Sequence, residues 1–115
     1  MRIKAIILAL GLLALTGCAV NKDMYHWGNY NHTLYDYTKE PSEETFKLHL
    51  AELNKIVVDA KKNSKQVPPG VYFELGMMEA EKGRVDLGIQ HLNKELELYP
   101  ESAKFVALAK KELGK

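Results

Sequence analysis

The chain has 115 residues, with 16 Lys and Arg against 15 Asp and Glu, and a single cysteine. That length accommodates one domain. A net charge of +1 provides no basic excess for nucleic-acid phosphates, and one cysteine excludes both an intramolecular disulfide and a CxxC…CxxC zinc site. With 27% charged and 9% aromatic residues, the composition is that of a folded chain.

Hydrophobicity is concentrated at the start. Arg2 and Lys4 precede Ala5 to Leu15, eleven residues with no polar side chain. As a helix these rise about 16 Å, roughly half a bilayer core, so they are too short to span it. A basic start followed by a short apolar run is the pattern of a secretory signal peptide.

Leu15-Thr16-Gly17-Cys18 closes that run. This resembles the lipobox of bacterial lipoproteins: an aliphatic residue, two small residues and a cysteine. The resemblance implies cleavage between Gly17 and Cys18, then S-diacylglycerol on the Cys18 thiol and an acyl group on its new amine. A thiolate is nucleophilic enough for the first step. Several acyl chains, each adding about 0.8 kcal/mol per buried CH₂, anchor firmly. The expected organisation is a signal peptide over 1–17, an acylated cysteine and tether over 18–24, and a helical domain over 25–115. Removal of 1–17 leaves 98 residues and lowers the basic count from 16 to 14 against 15 acidic residues. The composition then shows no basic patch for anionic lipid, so the lipid carries the attachment. Ala19, second in the mature chain, lacks the Asp of the enterobacterial inner-membrane retention pattern. The expected location is the outer membrane, on its periplasmic face. The tether, Ala19 to Met24, reaches at most about 20 Å.

Five of the ten aromatic residues lie between Tyr25 and Tyr37. Trp27, Tyr30, Leu34 and Tyr37 form one helical stripe, with Tyr35 off it. Gly28, Asn29 and Asn31 weaken the helix start. Pro41-Ser42-Glu43-Glu44 is a second start signal, with Ser42 as N-cap. Phe46, Leu50, Leu53, Val57 and Ala60 then form a stripe that ends near Lys61, Lys62 and Lys65. Val67-Pro68-Pro69-Gly70 opens a third helix over Val71 to Lys82, closed by Gly83. A fourth covers Asp86 to Leu98 and stops at Pro100. A fifth follows a Ser102 cap, with Phe105, Leu108 and Ala109 facing inward. No segment alternates like a strand, so the predicted fold class is all-α, with about five helices.

Pro69 to Pro100 resembles a tetratricopeptide repeat, with Tyr72, Leu75, Gly76, Gly83, Gly88, Leu92 and Pro100 in register. Glu79 and Glu95 depart from that pattern, at positions where the family carries an aromatic residue and alanine. The resemblance implies small antiparallel helical hairpins: the first two helices as a degenerate preceding pair, the fifth as a cap. A plain helical bundle is the alternative. The lipobox together with the Tyr25-to-Pro41 aromatic run also resembles a family of short proteobacterial lipoproteins of unknown function. Its members accompany a lipoprotein resembling the curli secretion channel, which that resemblance offers as a partner.

No catalytic or metal-binding constellation emerges. His26, His32, His49 and His91 have no ligand spacing and read as surface or rim residues. Glu43/Glu44 and Glu79/Glu81 diverge on their helices and read as solvated faces. There is no HExxH, GxSxG, GxxxxGK[ST] or GxGxxG. No enzyme activity, cofactor beyond the Cys18 lipid, nucleic acid or small-molecule substrate is expected. Tyr25, Trp27, Tyr35, Tyr72 and Met77 are the candidate partner contacts, because aromatic and Met side chains anchor interfaces; the Trp27–Tyr30–Leu34–Tyr37 stripe reads first as core against the second helix, with Tyr25 and Tyr35 off it and exposed. The expected function is an accessory, protein-binding lipoprotein of the envelope, with a self-associating structural lipoprotein as the alternative. Labelling with a radioactive fatty acid tests the anchor: incorporation is expected in the intact chain and none in Cys18→Ala, and incorporation that survives the substitution refutes it.

Overall fold

The computed structural model describes residues 24–114; Gly17, Cys18 and the preceding leader lie outside the described residues. Among the described residues the fold has five α-helices: α1 (Tyr30–Lys39), α2 (Glu43–Lys62), α3 (Val71–Glu81), α4 (Val85–Leu98) and α5 (Ala103–Glu112), with a 3₁₀ turn over Pro100–Ser102. The fold class is all-α, as the sequence predicts. One isolated parallel bridge, Tyr25 with Gln66, is the only strand-like pairing among the described residues.

Local chemistry explains where the helices begin. At α2, the Ser42 hydroxyl accepts the Thr45 N–H at 3.1 Å while the Ser42 N–H donates to Thr45 Oγ1 at 3.0 Å, a reciprocal cap. Glu43 and Glu44 sit in its first turn and Lys61 and Lys62 in its last, complementing the dipole. α1 has no side-chain cap of its own from Asn29. Instead the Asn29 N–H donates 2.7 Å to Glu52 Oε1 from α2. Gly28 makes this approach feasible: its φ is +51°, and a Cβ there would stand 2.6 Å from the same oxygen.

α3 and α4 pack most extensively. Their facing pairs rise along one helix as they fall along the other: Gly70 with Glu95, Tyr72 with His91, Gly76 with Gly88, Glu79 with Arg84. This is antiparallel register, set by the short turn around Gly83. A Cβ on Gly76 would lie 2.8 Å from the Gly88 carbonyl oxygen, and one on Gly88 would lie 2.5 Å from that of Gly76. The two backbones touch, which accounts for two glycines inside helices despite their low propensity.

α3 is sandwiched. Val71, Leu75 and Met78 join Phe46, Leu53 and Ile56 of α2 in one core cluster, against which Tyr30 and Tyr37 of α1 pack. Phe73 and Met77, elsewhere around the same helix, pack on Leu92, Val106 and Ala109. A helix apolar on all sides is a buried one.

Two expectations are corrected at the C-terminal end. Ser102 does not cap α5; its hydroxyl donates back to the Tyr99 carbonyl at 2.7 Å, inside the 3₁₀ turn. Phe105 and Leu108 do not face inward but are exposed, while Val106 and Ala109 are buried. The 3₁₀ turn delivers α5 with its Val106–Ala109–Leu113 stripe, not the Phe105–Leu108 one, against the core.

Gly88→Ala should lower the unfolding free energy by about 1–3 kcal/mol, the cost of overpacking a backbone contact. Urea denaturation followed by circular dichroism measures it, and an unchanged midpoint refutes the close contact.

Candidate functional site

The interior of this small body holds several polar groups, and each has a defined task. His49, on α2, is 1% exposed, which corrects its expected surface position. Its Nε2 lies 3.0 Å from Glu74 Oε1 on α3, and its Nδ1 lies 2.8 Å from Thr33 Oγ1 on α1. The Tyr30 hydroxyl donates to the other oxygen of Glu74. One residue from each of three helices, Thr33, His49 and Glu74, is thus joined through a single imidazole. Burial, then the hydrogen bond to Glu74 and its negative charge, holds the Tyr30 phenol far above its ordinary range.

Glu79 is likewise buried and takes the Arg84 guanidinium across the α3–α4 turn; it is not part of a solvated face. Glu95 is 2% exposed. Its two oxygens accept the Gly70 N–H at 2.9 and 3.1 Å, so a carboxylate from α4 caps α3, which has no side-chain cap of its own. Burial raises the Glu95 carboxyl above its ordinary range, while hydrogen bonds from the Gly70 and Phe73 backbones pull the other way. The Tyr72 ring lies 5.8 Å from His91, and burial keeps that imidazole below its usual range.

Beside the Glu95 cap opens a groove of about 440 Å³, walled by Pro69, Gly70, Phe73, Tyr99 and Phe105. Phe105 is 66% exposed at its edge. Tyr99 is fixed there by its hydroxyl, which donates 2.5 Å to the Val67 carbonyl; burial and the neighbouring Tyr25 push that phenol up to about 12. Among the described residues no cluster of three metal-ligating side chains occurs.

The sequence-predicted contact residues fall in different surroundings. Tyr35 is 61% exposed under Lys39, and Trp27 is 43% exposed against the Tyr30 ring. Tyr25 is half-buried at the bridge to Gln66. Tyr72 and Met77 are half-buried against the first and second core clusters. Sequence reasoning did not count Pro69, Phe73, Tyr99 or Phe105 among the contact residues, and it placed Phe105 facing inward. The available signal was α5 itself, which carries two apolar stripes although one helix face suffices for burial.

A family described as a domain of unknown function, DUF4810, matches residues 24–108. The chain belongs to that family. The DUF4810 span takes in α1 to α4 and the part of α5 that carries Phe105 and Val106, hence both the polar interior and the groove. No curated protein and no solved structure matches the chain.

The raised carboxyl of Glu95 has a definite sign for stability. The folded chain holds this proton more tightly than the unfolded chain, so the contribution is full below the ordinary carboxylate range and is lost as pH rises through the raised value. Glu95→Gln keeps an acceptor for Gly70 and removes the titration. Its stability at neutral pH should stay within about 1 kcal/mol of the parent, with a flatter profile in the acid range. Glu95→Ala strands the Gly70 and Phe73 N–H groups and should cost about 1–3 kcal/mol. Urea titrations at neutral and acid pH compare the three; equal losses for Gln and Ala refute the capping role.

Proposed function

We propose that this DUF4810 protein is an outer-membrane lipoprotein, acylated at Cys18, whose helical body is a non-enzymatic docking module for a second envelope protein on the periplasmic face. The observation that carries the docking part is the apolar groove of about 440 Å³ with Phe105 standing 66% exposed at its edge. An exposed aromatic beside a preformed apolar groove is the arrangement of an interface anchor.

A non-enzymatic role is supported by the way the interior carboxylates are committed. Buried Glu52, Glu79 and Glu95 and half-buried Glu74 each hold a backbone or side-chain partner that orders the fold. The tetratricopeptide-like reading draws support from the Gly76–Gly88 contact and the Gly83 turn, which fall where that repeat needs close helices and a reversal. The lipid anchor rests on the Leu15-Thr16-Gly17-Cys18 lipobox. The lipoprotein resembling the curli secretion channel is the first partner to try, because the resembling family accompanies it.

Co-expression of the full chain with that channel-like lipoprotein, followed by affinity capture, tests the reading. Phe105→Glu should lower recovery at least about thirtyfold, the loss of one interface anchor, while helical content and fatty-acid labelling stay at parental levels. Recovery unaffected by Phe105→Glu refutes the groove as the docking face. A complex that consists only of copies of this chain replaces the adaptor reading with self-association.

A further inference from the structure

A second groove, of about 470 Å³, lies between the end of α2, the loop after it and α4. Lys61, Lys65 and Lys94 line it together with Gln66, Tyr72 and Leu98, and no carboxylate is among its lining residues. Lys94 has a loose partner, Glu97, at 3.5 Å. Lys61 and Lys65 have no ion-pair partner among the described residues. Composition hides this concentration, because Lys94 comes from a different segment than Lys61 and Lys65 and the chain as a whole is near neutral.

The position of the groove is as informative as its charge. Gln66, in its wall, donates its N–H 2.9 Å to the Met24 carbonyl and accepts the His26 N–H at 3.2 Å. Met24, the first described residue, is therefore held beside this groove. Met24 is six residues after Cys18, and six extended residues span about 20 Å at most. An acylated Cys18 would hold Met24, and the lysines beside it, within that distance of the lipid surface.

We propose that the Lys61–Lys65–Lys94 groove seats the phosphate head groups of anionic phospholipids in the leaflet that holds the anchor. The inference rests on the lipid-anchor reading and deepens it. Ammonium groups meet the phosphates, the apolar side chain of Leu98 meets the glycerol and first acyl carbons, and the Tyr72 and Tyr99 rings suit the boundary between the two. The orientation of the body on the membrane then follows from charge as well as from the tether.

The test uses the full, acylated chain reconstituted into phosphatidylglycerol-containing or pure phosphatidylcholine vesicles, treated with an amine-acetylating reagent and read lysine by lysine by mass spectrometry. Lys61, Lys65 and Lys94 should react at least about threefold more slowly in the anionic vesicles, and this protection should fade in high salt. Lys47 and Lys111, distant along the fold, serve as references and should not change. Equal reactivity in both vesicle types overturns the proposal, as does equal protection in both, which would assign the cover to protein. Protection by inorganic phosphate without vesicles overturns the lipid in favour of a free anion. Flotation and lipid mass at Cys18 read the anchor separately. Acylation without lysine protection removes the head-group seat and leaves the anchor; protection without acylation does the reverse.

Discussion

The contact between Gly76 and Gly88 is the constraint from which the rest of the body takes its geometry. With two backbones touching at that point, α3 and α4 can adopt only one register. That register places Glu95 opposite the start of α3, brings Tyr72 to His91, and sets Glu79 across from Arg84. A side chain at either glycine would push the helices apart. The Glu95 carboxylate would then lose its two short contacts with Gly70, and the floor of the Phe105 groove would move with them.

A body this small has a thin apolar core, and polar groups complete it. Each buried polar side chain has a partner among the described residues. His49 ties α1 to α3 through α2, and Glu52 holds the start of α1. These are specific rather than generous interactions. A buried hydrogen bond adds about 0.5–1.5 kcal/mol net, but an unmet group costs more than that, so the network selects one arrangement of α1 rather than merely holding it down.

The legible part of this architecture was the part set by local chemistry. Ser42, the Val67-to-Gly70 turn, Gly83 and Pro100 mark boundaries through backbone preferences, and the helices fall within a residue or so of those marks. The Gly76–Gly88 pair was readable as a packing device because glycine has little other reason to sit in two facing helices. What stayed hidden depends on distance in space. His49 and Glu95 look like surface residues until Thr33, Glu74 and Gly70 are brought to them from 16, 25 and 25 positions away. The inward face of α5 could not be chosen from periodicity, since both of its stripes are apolar and the 3₁₀ turn before it decides which one is buried. Lys61 and Lys65 read only as cations at a helix end, and nothing in the sequence joins Lys94 to them.

Tyr99 lines both grooves. Its ring is part of the wall beside Phe105 on one side and of the wall beside Lys94 on the other, and its hydroxyl pins that wall to Val67 in the loop that bonds Met24. The two surfaces are thus halves of one structural unit instead of independent patches. A body seated by its lysines would hold the apolar groove beside the membrane. Its docking partner would then be met in a fixed orientation, with less rotational freedom left to lose on binding. For a module with so little surface, a fixed approach can contribute as much to selectivity as the contacts themselves.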